Sequence, residues 1–284
     1  MISGVALVAK PEGPTSHDVV DVVRRALATA RVGHLGTLDP FAGGLLVIVV
    51  GRATRLAPFA GGWDKAYEGV MRLGVRTATD DRAGAPLATS DAWRGLARPD
   101  VERAVAAFRG AYDQRPPAYS AVKLDGVRAY RRARRGETVT PAPRRVEVRE
   151  LDVVGWDPPD VTFRATVSGG TYLRSLARDV GEALGCGAHL ARLTRTRVGP
   201  YRLDDAVSPE AVTPGGLRDP AELVGALPRR DLDAAGRDAV MHGRPLPAGE
   251  DEGGRVALFA AGALVAVAER VGELLKPRVV VAES

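Results

Sequence analysis

A chain of 284 residues, 45% apolar and 26% charged, can bury a sizeable core and is neither low-complexity nor disordered in composition. Its one cysteine, Cys186, excludes an internal disulfide and fits a reducing compartment, and no apolar run is long enough to span a bilayer. The net charge of +5 rests almost wholly on arginine, since the only lysines are Lys10, Lys65, Lys123 and Lys276, and this balance favours a polyanionic partner, most simply nucleic acid.

Residues 5–9 predict a short apolar strand. The loop Lys10-Pro11-Glu12-Gly13-Pro14-Thr15-Ser16 follows and ends in two good helix caps, after which Val19, Val20, Val23 and Leu27 share one helical face. Residues 33–44 carry loop chemistry, with glycines at 33, 36, 43 and 44 around the pair Asp39-Pro40. The aliphatic run 45–50 behind them reads as a strand buried on both faces. Pro40 pushes the backbone of Asp39 out of the helical region, so its carboxylate is displayed on an extended segment above a rigid base.

Residues 51–56 begin a short helix that ends at Gly61-Gly62. Residues 65–73 alternate, placing Tyr67, Gly69, Met71 and Leu73 on one side of a strand, with Tyr67 half-buried and its hydroxyl at the rim. A helix over 99–108 turns Val101, Val105 and Phe108 inward, and the pair Pro116-Pro117 presets an extended run before a strand over 119–124. From 128 to 149 eight arginines face two glutamates, which suits a track for phosphates.

Residues 161–168 alternate as a strand, and Gly169-Gly170 lead into a helix over 171–184. Arg174 falls in the first turn of that helix, where the macrodipole disfavours a cation, so an anion is expected opposite it. Cys186, between glycines at the helix end, reads as a small packing residue. Residues 204–230 read as a connection with one helical stretch near 221–227, and apolar runs at 255–259, 264–268 and 278–281 read as strands of a small C-terminal unit.

The pattern His-x-Gly-Thr-Leu-Asp-Pro-x-Ala-x-Gly from His34 onward resembles the signature loop of the TruB family of tRNA pseudouridine 55 synthases. Lys-Pro-x-Gly-x-Thr-Ser from Lys10, the run 114–126, Gly-Thr-Tyr-x-Arg ending at Arg174, and Gly-Cys-Gly-Ala-His with Leu193 and Arg195 match further motifs in the family's order. The loop 76–84 matches only in part, with Ala78 where the family usually carries an acidic residue, and is assigned no catalytic role.

The resemblance implies an α+β fold: a mixed, mainly antiparallel central sheet flanked by helices over residues 1–228, and a small β-rich PUA-like RNA-binding domain over 229–284. It implies an isomerase that converts uridine 55 in the T-arm stem-loop of tRNA to pseudouridine, as a cytoplasmic monomer. Asp39 is then the catalytic carboxylate and Arg174 its partner. Tyr67 stacks on the target base and helps the proton leave the ring carbon. Tyr172 and Leu193 complete the base pocket, His34 fills the gap left in the stack, and Lys10 lies near the active site.

The chemistry is consistent with that set. The reaction cuts the bond from ring nitrogen to ribose, turns the base and rejoins it through a ring carbon, so neither cofactor nor metal is required. The base must be flipped out of its stack at a cost of a few kcal/mol. Glycosidases use two carboxylates, the second as acid or to activate water, whereas one carboxylate kept ionised by an adjacent cation can release a base and keep it for reattachment. Two other readings compete: an RNA-binding or RNA-folding module whose useful act is remodelling tRNA, and a guide-RNA-dependent relative working in a multi-protein particle.

Overall fold

The computed structural model describes residues 2–120, 122–124, 127–129, 132, 135, 137, 139–250 and 252–282. Arg131 and Arg134 of the arginine-rich run lie outside the described residues. Strand β1 (Gly4–Lys10) leads into helix α1 (Ser16–Ala26). Of the two predicted caps, Thr15 takes the N-cap: its Oγ1 accepts from Asp18 N at 3.1 Å while the Asp18 carboxylate accepts from Thr15 N at 2.8 Å, a capping box. Ser16 turns inward instead.

Strands β2 (Val32–His34) and β3 (Gly43–Val50) follow, and β3 is buried along its whole length, as its aliphatic run predicts. A 3₁₀ turn (Gly51–Leu56) and the short helix α2 (Ala57–Ala60) lead to β4 (Lys65–Leu73). After the ribbon β5 (Val75–Thr77) and β6 (Pro86–Thr89) come α3 (Arg98–Ala106) and β7 (Gly110–Gln114). Of the strand expected over 119–124, Ala121 lies outside the described residues, and among the others Lys123–Leu124 form β8, paired with β9 (Val127–Arg128). Tyr119 and Ser120 form a bend, and their backbone serves the site described below.

The long hairpin β10 (Arg144–Asp157) and β11 (Asp160–Val167), helix α4 (Leu173–Ala183), β12 (Ala188–Val198) and β13 (Tyr201–Arg202) complete a nine-stranded sheet. Its order is β1-β3-β12-β4-β11-β10-β7, with β2 beside β3 and β13 beside β12. Every pair is antiparallel except β3 with β12, which makes the sheet mixed, as expected.

Residues 204–230 are not a free connection. Val207 N donates to Leu7 O at 3.0 Å, Ala9 N to Val207 O at 2.8 Å, and Val5 and Arg218 exchange bonds at 3.0 and 2.8 Å, so the segment closes the open edge of β1. Edge N–H and C=O groups need partners, and composition alone does not reveal that a turn-rich segment will supply them.

The chain ends in β14 (Arg229–Asp231), α5 (Ala234–Met241), β15 (Leu246–Pro247), β16 (Arg255–Ala260), β17 (Ala263–Val271) and β18 (Leu274–Val280). The five strands form a second sheet, β14-β16-β17-β18-β15. Helix α5 escapes the sequence reading because its residues, Ala-Ala-Gly-Arg-Asp-Ala-Val-Met, bury only Val240. On β16 the alternation is clear: Val256 and Leu258 pack inward with Val240 and Val265, while Ala257 joins Leu264 and Val267 in a core shared with Val5, Val47 and Leu56. Arg52 donates to Ala282 O and Arg55 Nη1 to Val280 O at 2.8 Å across the same junction.

Two more cores position the site. Helix α1 covers β1 and β3 through Val19, Val20 and Val23. Helices α3 and α4 cover β4, β10, β11 and β12, and the loop side chains Leu38 and Phe41 enter this same core. Among the described residues no helix is long and apolar enough to cross a membrane.

Candidate active site

The loop 35–42 between β2 and β3 carries Asp39, and its backbone is tied down from several directions. Ser16 Oγ donates to Leu38 O at 2.9 Å and accepts from Leu38 N at 2.8 Å, fixing the residue just before Asp39. Gly13 N donates to Pro40 O at 2.7 Å, and Ala42 N closes a turn onto Asp39 O at 3.1 Å. Lys10, expected near the substrate, is 2% exposed, and its ammonium donates to Ala42 O at 2.7 Å and Pro11 O at 2.9 Å. It reaches loop backbone, not the surface. Burial holds its pKa below the usual lysine value, against the opposing pull of the Asp39 charge.

Arg174 projects from the first turn of α4 with its side chain 6% exposed, while that of Asp39 is 35% exposed. Arg174 Nη2 donates to Asp39 Oδ1 at 3.2 Å, and Nε lies 2.8 Å from Oδ2 but off the hydrogen-bond axis, so that second contact is chiefly coulombic. The cation that the macrodipole disfavours therefore meets a carboxylate. The guanidinium is held in plane by carbonyls: Nη1 donates to Thr79 O at 2.8 Å and Nη2 to Tyr119 O at 2.9 Å. A buried, multiply bonded arginine and a partly exposed carboxylate make a site in which the acid faces outward and its counter-ion is held from several sides.

Sequence reasoning assigned no catalytic role to the loop 76–84, yet this loop supports Arg174 from the other side. Asp81 Oδ2 is 3.6 Å from Arg174 Nη1, with the Asp81 side chain 7% exposed. Asp81 is itself fixed, because its Oδ1 accepts from Thr79 Oγ1 at 2.6 Å and from Ala83 N at 2.9 Å. Next to it Asp80 pairs with Arg178 at 3.0 Å, one turn along α4 from Arg174. The acidic residue missing at Ala78 pointed away from this loop; the Asp80-Asp81 pair was the available signal.

An apolar wall stands beside the pair. Tyr67 is 7% exposed, deeper than the alternation of β4 predicts, and packs in one cluster with Leu38, Phe41, Leu173 and Leu193, the last 6% exposed. Strand register explains the meeting: Tyr67 lies opposite Arg195 and Gly69 opposite Leu193 on the neighbouring β12. Tyr172 is half-buried at the N-cap of α4, where the amide of Gln114 accepts from its N at 2.8 Å and donates to its O at 3.1 Å. His34 is half-buried in β2 opposite Ile48. Burial first, then the charges of Arg195 and His17, hold its pKa below the usual histidine value, so the ring is neutral at physiological pH. Its Nδ1 is buried with no hydrogen-bond partner among the described residues.

The architecture is the Cbf5/TruB-like pseudouridine synthase fold. The crystal structure of a Cbf5-Nop10-Gar1 complex matches over 98% of this chain and 85% of that one, with TM-score 0.75 and 27% identity. The structure of an H/ACA RNP bound to a substrate RNA containing 2'-deoxyuridine shares the fold, with TM-score 0.73 and 24% identity over 99% of this chain and 85% of that one. Residues 24–173 match the TruB family pseudouridylate synthase N-terminal domain, and residues 174–215 the tRNA pseudouridylate synthase B C-terminal domain. The tRNA pseudouridine synthase B of Thermobifida fusca is 46% identical over 296 residues, with 100% of each chain covered. That of Mycobacteroides abscessus is 47% identical over 257 residues, covering 87% of this chain and 86% of its own. The chain belongs to the TruB family and is an isomerase of the pseudouridine synthase class.

Proposed function

We propose that this protein isomerises uridine 55 in the T-arm stem-loop of tRNA to pseudouridine, with Asp39 as the catalytic carboxylate. The observation that carries the reading is the Asp39–Arg174 pair: a carboxylate 35% exposed, backed by an arginine 6% exposed, beside the apolar wall of Tyr67 and Leu193. The target nucleotide is flipped out of its stack, a cost of a few kcal/mol, and its base stacks against that apolar wall, between Tyr67, Tyr172 and Leu193. The neutral ring of His34 occupies the space left in the stack. Asp39 acts on the sugar to break the bond from N1 to C1′. The freed uracil turns, C5 bonds to C1′, the C5 proton leaves with the help of Tyr67, and N1 regains a proton, so the product is an isomer with nothing added or lost.

The base is retained because the wall beside it is apolar and Asp39's neighbour is a cation, not a second carboxylate poised to activate water. Lys10 serves by holding Ala42 and the loop. The C-terminal unit, residues 229–284, serves as a PUA-like RNA-binding domain whose shared core with β1 and β3 holds it at a set position relative to Asp39. The protein acts as a cytoplasmic monomer on bare tRNA. Tritium release from ring-labelled uridine in a T-arm stem-loop tests the reading: Asp39→Asn abolishes release while binding of the stem-loop survives, and a variant that still releases tritium at the wild-type rate refutes it.

A further inference from the structure

Arg195 belongs to the Leu193-x-Arg195 motif, yet it faces neither Asp39 nor the surface. It is 1% exposed on β12, and its guanidinium spans the base of the catalytic loop. Nε donates to Leu45 O at 2.8 Å, Nη2 to Gly36 O at 3.0 Å, and Nη1 approaches Thr37 O at 3.4 Å. One side chain from the neighbouring strand β12 thus grips the loop where it leaves β2 and again where it has entered β3.

The backbone around it is built to allow this grip. Thr194 and Arg195 run parallel beside Gly43 and Gly44. Gly44 has φ of 104°, and a Cβ there would stand 2.4 Å from Arg195 O, so no other residue fits without moving the strands apart. Gly36 has φ of 90°, and a Cβ there would press on Lys65 Cε at 3.3 Å and lie 3.7 Å from Arg195 Nη1. Gly44 thus lets β3 lie directly against the Arg195 backbone, and Gly36 gives the loop a left-handed turn beside the guanidinium.

Burying a cation against neutral carbonyls is costly, and an apolar side chain of similar volume would avoid the desolvation. What the apolar side chain cannot do is bind carbonyls on both limbs of a loop at once, which the planar fork of arginine does and a lysine ammonium does only in part. We propose that Arg195 is a positioning residue for the isomerisation: it holds the two limbs of the Asp39 loop so that the carboxylate stays in register with Arg174 and the sugar. The inference rests on the assignment of Asp39 as the catalytic carboxylate. It predicts an effect on turnover and none on RNA affinity, because Arg195 reaches no solvent.

The test compares Arg195→Gln and Arg195→Lys with the wild-type chain in tritium release, T-arm binding and thermal unfolding. A displacement on the order of 1 Å far from the reacting atoms can cost about 100-fold, so kcat falls by about that factor in Arg195→Gln and by less in Arg195→Lys. The dissociation constant of the stem-loop stays at its wild-type value, and both variants remain folded at the assay temperature. If Arg195→Gln does not fold, the same two readouts on Arg195→Lys decide. A folded variant with wild-type kcat, or a loss that appears in binding instead of turnover, overturns the proposal. Asp39→Asn assayed alongside separates the two failures: if it is inactive while Arg195→Gln is fully active, only the role of Arg195 falls, and if it is active the reading of the loop itself falls.

Discussion

Asp81 stands 3.6 Å from Arg174 on the guanidinium nitrogen that Asp39 leaves free, so one buried cation is shared by a partly exposed carboxylate and a buried one. The buried acid cannot turn away, because Thr79 Oγ1 and Ala83 N hold its other oxygen. The arrangement fixes the guanidinium from behind and leaves the outward acid accessible.

Removing that rear anchor costs activity without touching the substrate. In Asp81→Asn the amide keeps the volume but loses the charge, so Arg174 is free to shift toward Asp39. We expect kcat to drop by about tenfold or more and stability to fall by about 1–3 kcal/mol, the range for an impaired buried polar contact. Tritium release and urea denaturation measure the two effects, and wild-type turnover would remove Asp81 from the site.

Arg174→Lys tests the fork itself. An ammonium carries the charge but cannot meet Asp39, Thr79 O and Tyr119 O in one plane. Turnover therefore falls by about 100-fold although the charge is kept, the cost expected of a misplaced reacting group. Arg174→Ala goes further. It strands a buried carboxylate, and breaking a buried pair in this way destabilises by about 3–5 kcal/mol.

Ser16 links a helix start to the Asp39 loop through its two bonds to Leu38. Ser16→Ala leaves the Leu38 N–H and C=O buried without those partners, at a cost of about 1–3 kcal/mol. Because Leu38 precedes Asp39, kcat falls as well. Ser16→Thr, which keeps the hydroxyl, retains more activity than Ser16→Ala in the same assay.

Lys65 makes stability depend on alkaline pH. It is 8% exposed, donates to Trp63 O at 2.8 Å, and has its pKa brought down from 10.5 to about 8 by burial and then by the charge of Arg195, against the pull of Asp64. Between those values the unfolded chain holds a proton that the folded chain has released. Stability from this group therefore rises with pH from about 8 to 10.5, with a slope approaching 1.4 kcal/mol per pH unit at most, and is lowest below pH 8 where both states are charged. Denaturation of wild type and Lys65→Met across that window isolates the slope, which the variant lacks.

Much of this protein was legible along the chain. The aliphatic run of β3, the capping of α1 and the alternation of β4 follow from side-chain period and cap chemistry, which are properties of neighbouring residues. Motif resemblance located Asp39 and Arg174. An arginine in the first turn of α4 also called for an anion on electrostatic grounds alone. The short ribbon where a strand over 119–124 was expected shows the limit: that segment spends Tyr119 O on Arg174, and among the described residues only Lys123 and Leu124 pair, with β9.

Tertiary structure decided what holds the carboxylate. Asp39 and Arg174 lie 135 positions apart, and Arg195 and Leu45 lie 150 apart, so no local pattern carries either contact. Asp81 looked like one more acid in a polar turn until the fold set that turn against α4. The turn-rich stretch 204–230 looked like a linker until the free edge of β1 recruited it. Sequence by itself determined which segments become strands and helices and which acid to suspect; the sheet order, by bringing β12 between β3 and β4, determined which buried cations grip that acid and its loop.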